Sequence, residues 1–235
     1  MEIIGFLDGI TAAVIIITAV VFGLLSFLSA RKIGAKLLYF AGGLVVLVGL
    51  LWLGPFTEFW SVLITGINLP GVVYGFLSYI WVAPAVVLAF YLGGELMAPE
   101  KTKIIVIIYS ILGIIFEIFM FALPNGNVNA LGTFTWEEPA EGYLLNTSFN
   151  MSSPTFWLVA LFLISVLIFL GIGFAIKAKQ ATGDLRRKFT YLSVAFIIFV
   201  ICGALDSVLD PGIAIGFVRL VMATFAIWTY LGLKT

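Results

Sequence analysis

Three ionisable residues stand inside long apolar runs of this 235-residue chain: Glu117, Asp206 and Arg219. A charge held in hydrocarbon costs roughly 2.5–3.5 kcal/mol even on the lenient insertion scales, so each needs a partner or a task. Asp210 follows Asp206 by four, which puts both carboxylates on one helical face. The Asp210-Pro211-Gly212 turn makes the runs on either side of it antiparallel neighbours. Arg219 can then extend toward the boundary and meet Asp206. Such a pair either fixes how two helices pack or lines an outward-facing cavity for a ligand, an ion or a proton. Glu117 has no evident cationic partner. Its options are protonation, a bond to a backbone carbonyl, or a polar partner on the third or fifth run, and its use is helix association or proton movement. Asp206, Arg219, Asp210 and Glu117 are the candidate intramembrane polar cluster.

A second candidate centres on Pro84, which follows Trp81-Val82-Ala83. Proline removes one ladder hydrogen bond and kinks a helix. A kink beside Tyr79 and Trp81 opens a pocket, or is simply a bend in a membrane helix.

Other chemistry is excluded by what is missing. With no histidine and one cysteine, Cys202, the chain cannot build a bis-His haem, a His-ligated zinc or copper site, or a Ser-His-Asp centre. No phosphate-cradling glycine loop and no nucleophile beside a base occurs. Neither an enzyme, a metal site nor a cofactor is expected. Twelve Lys and Arg balance twelve Asp and Glu, so no basic surplus points to nucleic acid.

The elements that must position these residues follow from the apolar pattern. Hydrophobic residues make up 63% of the chain and charged ones 10%, far from the soluble norm. Seven runs are long enough to span a bilayer, at about 9–29, 37–54, 71–93, 103–123, 155–176, 189–209 and 212–232. The expected fold is an all-α integral membrane protein, a single seven-transmembrane-helix bundle over 1–235. No signal-peptide pattern precedes the first run, so it is read as a retained helix. Arg31, Lys32, Lys36, Lys101, Lys103, Lys177, Lys179, Arg186, Arg187, Lys188 and Lys234 all fall on one side of this arrangement. The positive-inside rule then places the N-terminus outside and the C-terminus in the cytoplasm.

The 124–154 connection is external in this topology, either as an ordered cap or as a flexible linker. It carries sequons at Asn146 and Asn150, possible glycosylation sites. Ser61–Asn68 in the 55–70 connection is expected to lie in the interface or dip into it. Trp52, Trp60 and Trp157 form an aromatic belt at the outer boundary. The basic connection 177–188 is expected to face anionic headgroups, or to dock a protein partner. Gly71-x-x-x-Gly75 and Gly212-x-x-x-Gly216 permit close helix approach.

Seven spans, an external N-terminus and short loops resemble the heptahelical sensor architecture of microbial rhodopsins and of the seven-helix input modules of some sensor histidine kinases. The resemblance covers nearly the whole chain by topology and little of it by motif. Rhodopsins carry a retinal-binding lysine in span seven, where this chain has Arg219 and no lysine before Lys234. The resemblance implies a sensor or receptor-like module in the cell membrane, acting through a partner in the membrane or at 177–188. A structural or accessory subunit of a membrane complex is the alternative. A small transporter or proton-coupled carrier comes third, because the inner halves of the spans lack polar residues.

Overall fold

The structure, a computed structural model, describes residues 3–122, 132–136, 139, 144–209 and 212–234. Asp210 and the Pro211 turn lie outside the described residues.

The described residues are all-α apart from one short two-stranded ladder. Its helices are α1 (Ile3–Ile33), α2 (Lys36–Leu50), α3 (Leu53–Thr65), α4 (Gly71–Tyr79), α5 (Val82–Met97), α6 (Thr102–Ala122), α7 (Pro154–Ser165), α8 (Gly173–Gln180), α9 (Gly183–Asp206) and α10 (Ile213–Leu233). A π-helical stretch, Val166–Ile172, joins α7 to α8 as one rod. Neighbouring rods pack in the order α6, α5, α2, α1, α10, α9, and the α7–α8 rod touches both α9 and α6 to close the ring. Phe90, Phe116, Phe162, Phe174, Phe196 and Phe225 fill the centre, with Leu38, Leu44, Leu170 and Met120. Close packing of such side chains holds the helices together through many small dispersion contacts.

Among the described residues, six helical stretches are long and apolar enough to cross a membrane, and the bent pair α2–α3 makes a seventh if counted as one span. The expected second span, 37–54, is therefore not one straight helix. At Leu51 and Trp52 the chain closes α2 with tight turns onto Val48 and Gly49, then sets off at 50° as α3. Pro55 explains the break. It has no N–H to continue the α2 ladder but fits the first turn of a new helix. Most of the expected 55–70 connection is thus helix. Its close packing depends on Gly54, where a Cβ would sit 2.6 Å from the Tyr74 carbonyl oxygen and overlap the Ser78 hydroxyl. Because backbone cannot give way, Gly54→Ala is expected to cost about 1–3 kcal/mol through overpacking. Thermal unfolding of the purified variant checks this.

Span three breaks as expected from Pro84, one turn earlier in the chain. Ile80 still donates to the Phe76 carbonyl and Ala85 to Trp81, while the Ile80 carbonyl loses the donor that Pro84 cannot supply. The basic connection 177–188 also differs from expectation. Only Ala181 and Thr182 are non-helical, so Lys177 and Lys179 end α8 while Arg186, Arg187 and Lys188 begin α9.

In the long connection, Phe134–Trp136 (β1) pairs antiparallel with Thr147–Phe149 (β2), Phe134 opposite Phe149. The described part is thus an ordered cap. Phe134 is fully buried, and its ring fills the space that a side chain at Gly75 would need; Trp136 does the same at Gly71. The first small-residue motif therefore seats the cap, not a helix. Gly216 does serve helix approach, lying against Leu7 of α1.

Candidate functional site

The charged residues gather where α1, α9 and α10 meet. Arg219, 5% exposed, donates from Nε to Asp206 Oδ1 at 2.7 Å. Its Nη1 donates to Asp8 Oδ1 at 2.6 Å and to the Asp8 backbone carbonyl at 3.2 Å. Asp206 also accepts from Trp52 Nε1 at 3.3 Å through its other oxygen. Two carboxylates thus share one guanidinium, and the cluster carries one negative charge in excess.

Asp8 was not among the residues singled out from the sequence. Its partnership depends on α1 lying beside α10, which no local pattern reveals. Trp52, expected in the outer aromatic belt, is buried and bonded to Asp206. Trp60 and Trp157 remain exposed.

Beside this cluster lies a cavity of about 330 Å³. Its polar lining includes Asp206, Arg219, Tyr74, Ser78, Tyr79 and Thr147, with Asn146 and Ser207 at one end. Val82, Val86 and Ala89 of α5, Leu44 and Val48 of α2, Phe162 and Val166 make the rest apolar. Ala89 lies seven residues beyond Val82, so the apolar part runs about 10 Å down the bundle. Tyr79 is anchored to the cap: its hydroxyl is 3.1 Å from Thr147 Oγ1 and donates to the Thr147 carbonyl at 3.3 Å. The π-helical stretch begins at Val166, in the cavity wall.

Of the pocket residues expected from sequence, Tyr79 lines this cavity. Trp81 does not; its Nε1 donates to the Leu77 carbonyl at 3.0 Å. Pro84 lines a different feature, an open cleft between α5 and α6 that also holds Glu117 and Ser110. Glu117 therefore does not belong to the cluster of Asp206 and Arg219. It sits on α6, of whose most apolar stretch only 17% is buried inside the molecule. Neither Glu117 oxygen has a hydrogen-bond partner among the described residues. An unsatisfied buried polar group costs roughly 1–3 kcal/mol, so Glu117→Leu is expected to stabilise the isolated protein by that order. A clear drop in Tm would show instead that this carboxyl has a structural partner.

A further carboxylate was not singled out from the sequence. Glu58 of α3 is fully buried and accepts from Asn68 Nδ2 at 2.5 Å, Leu69 N–H at 2.7 Å and Leu145 N–H at 2.9 Å. It ties the α3–α4 link and the cap to one point. Of the possible glycosylation sites, Asn146 is exposed at the cavity mouth. Asn150 is half-buried, its N–H bonded to the Thr133 carbonyl and its Oδ1 to the Ser152 N–H. No group of three or more Asp, Glu or Cys able to hold a metal occurs among the described residues.

No protein-family model matches this chain, and no curated protein matches its sequence.

Proposed function

We propose that this chain is a heptahelical, non-enzymatic sensor module of the cell membrane, N-terminus outside and C-terminus in the cytoplasm. It takes up a small ligand from the end that carries Asp8, Asp206 and the cap, and acts through a protein partner. The observation that carries this reading is the cavity. It penetrates the bundle from a polar, capped end, it touches α2, α4, α5, α7, α9 and α10, and an ion cluster tying α1, α9 and α10 forms part of its wall. An occupant would bias how those helices pack, which is what a sensor requires. The basic helix ends around 177–188 are the proposed contact with headgroups or with that partner.

The second reading, an accessory subunit of a membrane complex, draws on Glu117. A carboxyl without a hydrogen-bond partner among the described residues, on a helix with little of its surface covered, fits a site that another chain completes. Purification in mild detergent with mass spectrometry of whatever accompanies the protein separates the two. A bound small molecule on a lone chain supports the sensor; stoichiometric partner chains with an empty cavity overturn it.

A further inference from the structure

The cavity's free hydrogen-bonding groups define the ligand it suits, an inference that rests on the sensor reading. Tyr74 is 3% exposed and lines the cavity, yet its hydroxyl has no hydrogen-bond partner among the described residues. Arg219 uses Nε and Nη1 on Asp206 and Asp8. Its third nitrogen, Nη2, is likewise without a partner among the described residues. Of the other polar side chains beside the ion cluster, Trp52 bonds Asp206, Ser78 the Tyr74 carbonyl and Tyr79 Thr147, while Asn146 stands exposed at the mouth. Beside the cluster, what remains is a donor on Arg219 and a donor-acceptor on Tyr74.

Charge then selects the head. A carboxylate or phosphate would add a third anion to one guanidinium already shared by Asp8 and Asp206. An ammonium carries donors only, so it could accept nothing from the Arg219 Nη2 donor it would face and would bring a second cation against it. A neutral oxygen can accept from Nη2 and bond Tyr74 with no added charge. Below that point the lining is Val, Leu, Ala and Phe, with no polar partner for a sugar or a peptide.

We propose that the ligand is an uncharged lipophile with an alcohol or carbonyl head, held non-covalently with its head between Tyr74 and Arg219 and its apolar body along α5. The bundle interior offers no lysine for a covalent imine. Tyr74 and Arg219 are then the residues that set head specificity.

The test uses the full chain in lipid nanodiscs with five probes: dodecan-1-ol, dodecane, dodecanoate, dodecylammonium and butan-1-ol. Ligand-induced rise in Tm is followed as a function of probe concentration. Dodecan-1-ol is expected to act saturably and at lower concentration than the other four. Tyr74→Phe removes only the hydroxyl, and is expected to raise the half-saturating dodecan-1-ol concentration about five- to tenfold while leaving the weak dodecane response unchanged. A preference for dodecanoate or dodecylammonium would overturn the head assignment and leave the sensor reading standing. Equal responses to dodecan-1-ol and dodecane, or an unchanged Tyr74→Phe, would also overturn it. If butan-1-ol matches dodecan-1-ol, the apolar part of the assignment falls. Absence of a saturable response to any probe counts against the ligand-binding reading itself.

Discussion

Arg219→Gln is expected to cost about 3–5 kcal/mol of stability, the usual result of removing one partner from a buried charge cluster. Glutamine leaves Asp8 and Asp206 facing each other across a space that Arg219 now fills at 2.6 and 2.7 Å. The penalty is that of two carboxylates losing their cation, not the net worth of the ion pairs. A variant that also carries Asp8→Asn and Asp206→Asn is therefore expected to recover most of the loss, because neutral amides need no counter-charge. Thermal or denaturant unfolding of the single and triple variants in the same detergent checks both statements. Equal stability of Arg219→Gln and the parent would sink the cluster argument. A charge swap of Asp206 and Arg219 is expected to fail despite their direct contact, since it would place a new carboxylate beside Asp8.

Asp8 shows why part of this site was legible and part was not. The Asp206–Arg219 contact follows from a short turn between two consecutive apolar runs, so local spacing was enough. The Asp8 contact joins residues 211 positions apart and depends on which helices become neighbours. Likewise, runs of apolar residues reveal six or seven spans, because bilayer-scale length is written into composition. They do not reveal the turn at Trp52: the second run reads as helix to residue 54 with a connection from Pro55, whereas the chain turns earlier and continues as helix. Pro84 was legible as a break, but its side of the bundle was not: hydropathy says nothing about which face of α5 meets α6. Tyr74 was missed for a related reason. A tyrosine in an apolar run looks like packing, and only the absence of a partner for its hydroxyl distinguishes it.

Glu58 carries the other large effect. Its carboxylate accepts from three donors drawn from two connections, and it has no exposed surface. Glu58→Leu leaves the Leu69 and Leu145 N–H groups without partners, and Leu145 is itself buried. Asn68 is half-buried and can turn its amide toward water, so its bond matters less. At roughly 1–3 kcal/mol for each stranded donor, the variant is expected to lose about 2–5 kcal/mol. The loss should be local before it is global. The rings of Phe134 and Trp136 can leave Gly75 and Gly71 without opening the core around Phe90 and Phe162. Amide exchange at Leu69, at Leu145 and through Thr147–Phe149 is therefore expected to speed up while exchange in α9 and α10 holds. Because Tyr79 bonds Thr147, release of the cap also removes one wall of the cavity, and Glu58→Leu should weaken retention of any bound molecule without touching Tyr74 or Arg219. Glu58→Gln keeps one acceptor oxygen and should fall between the parent and leucine. Unchanged exchange at Leu145 in both variants would mean the cap is held by its aromatic contacts alone.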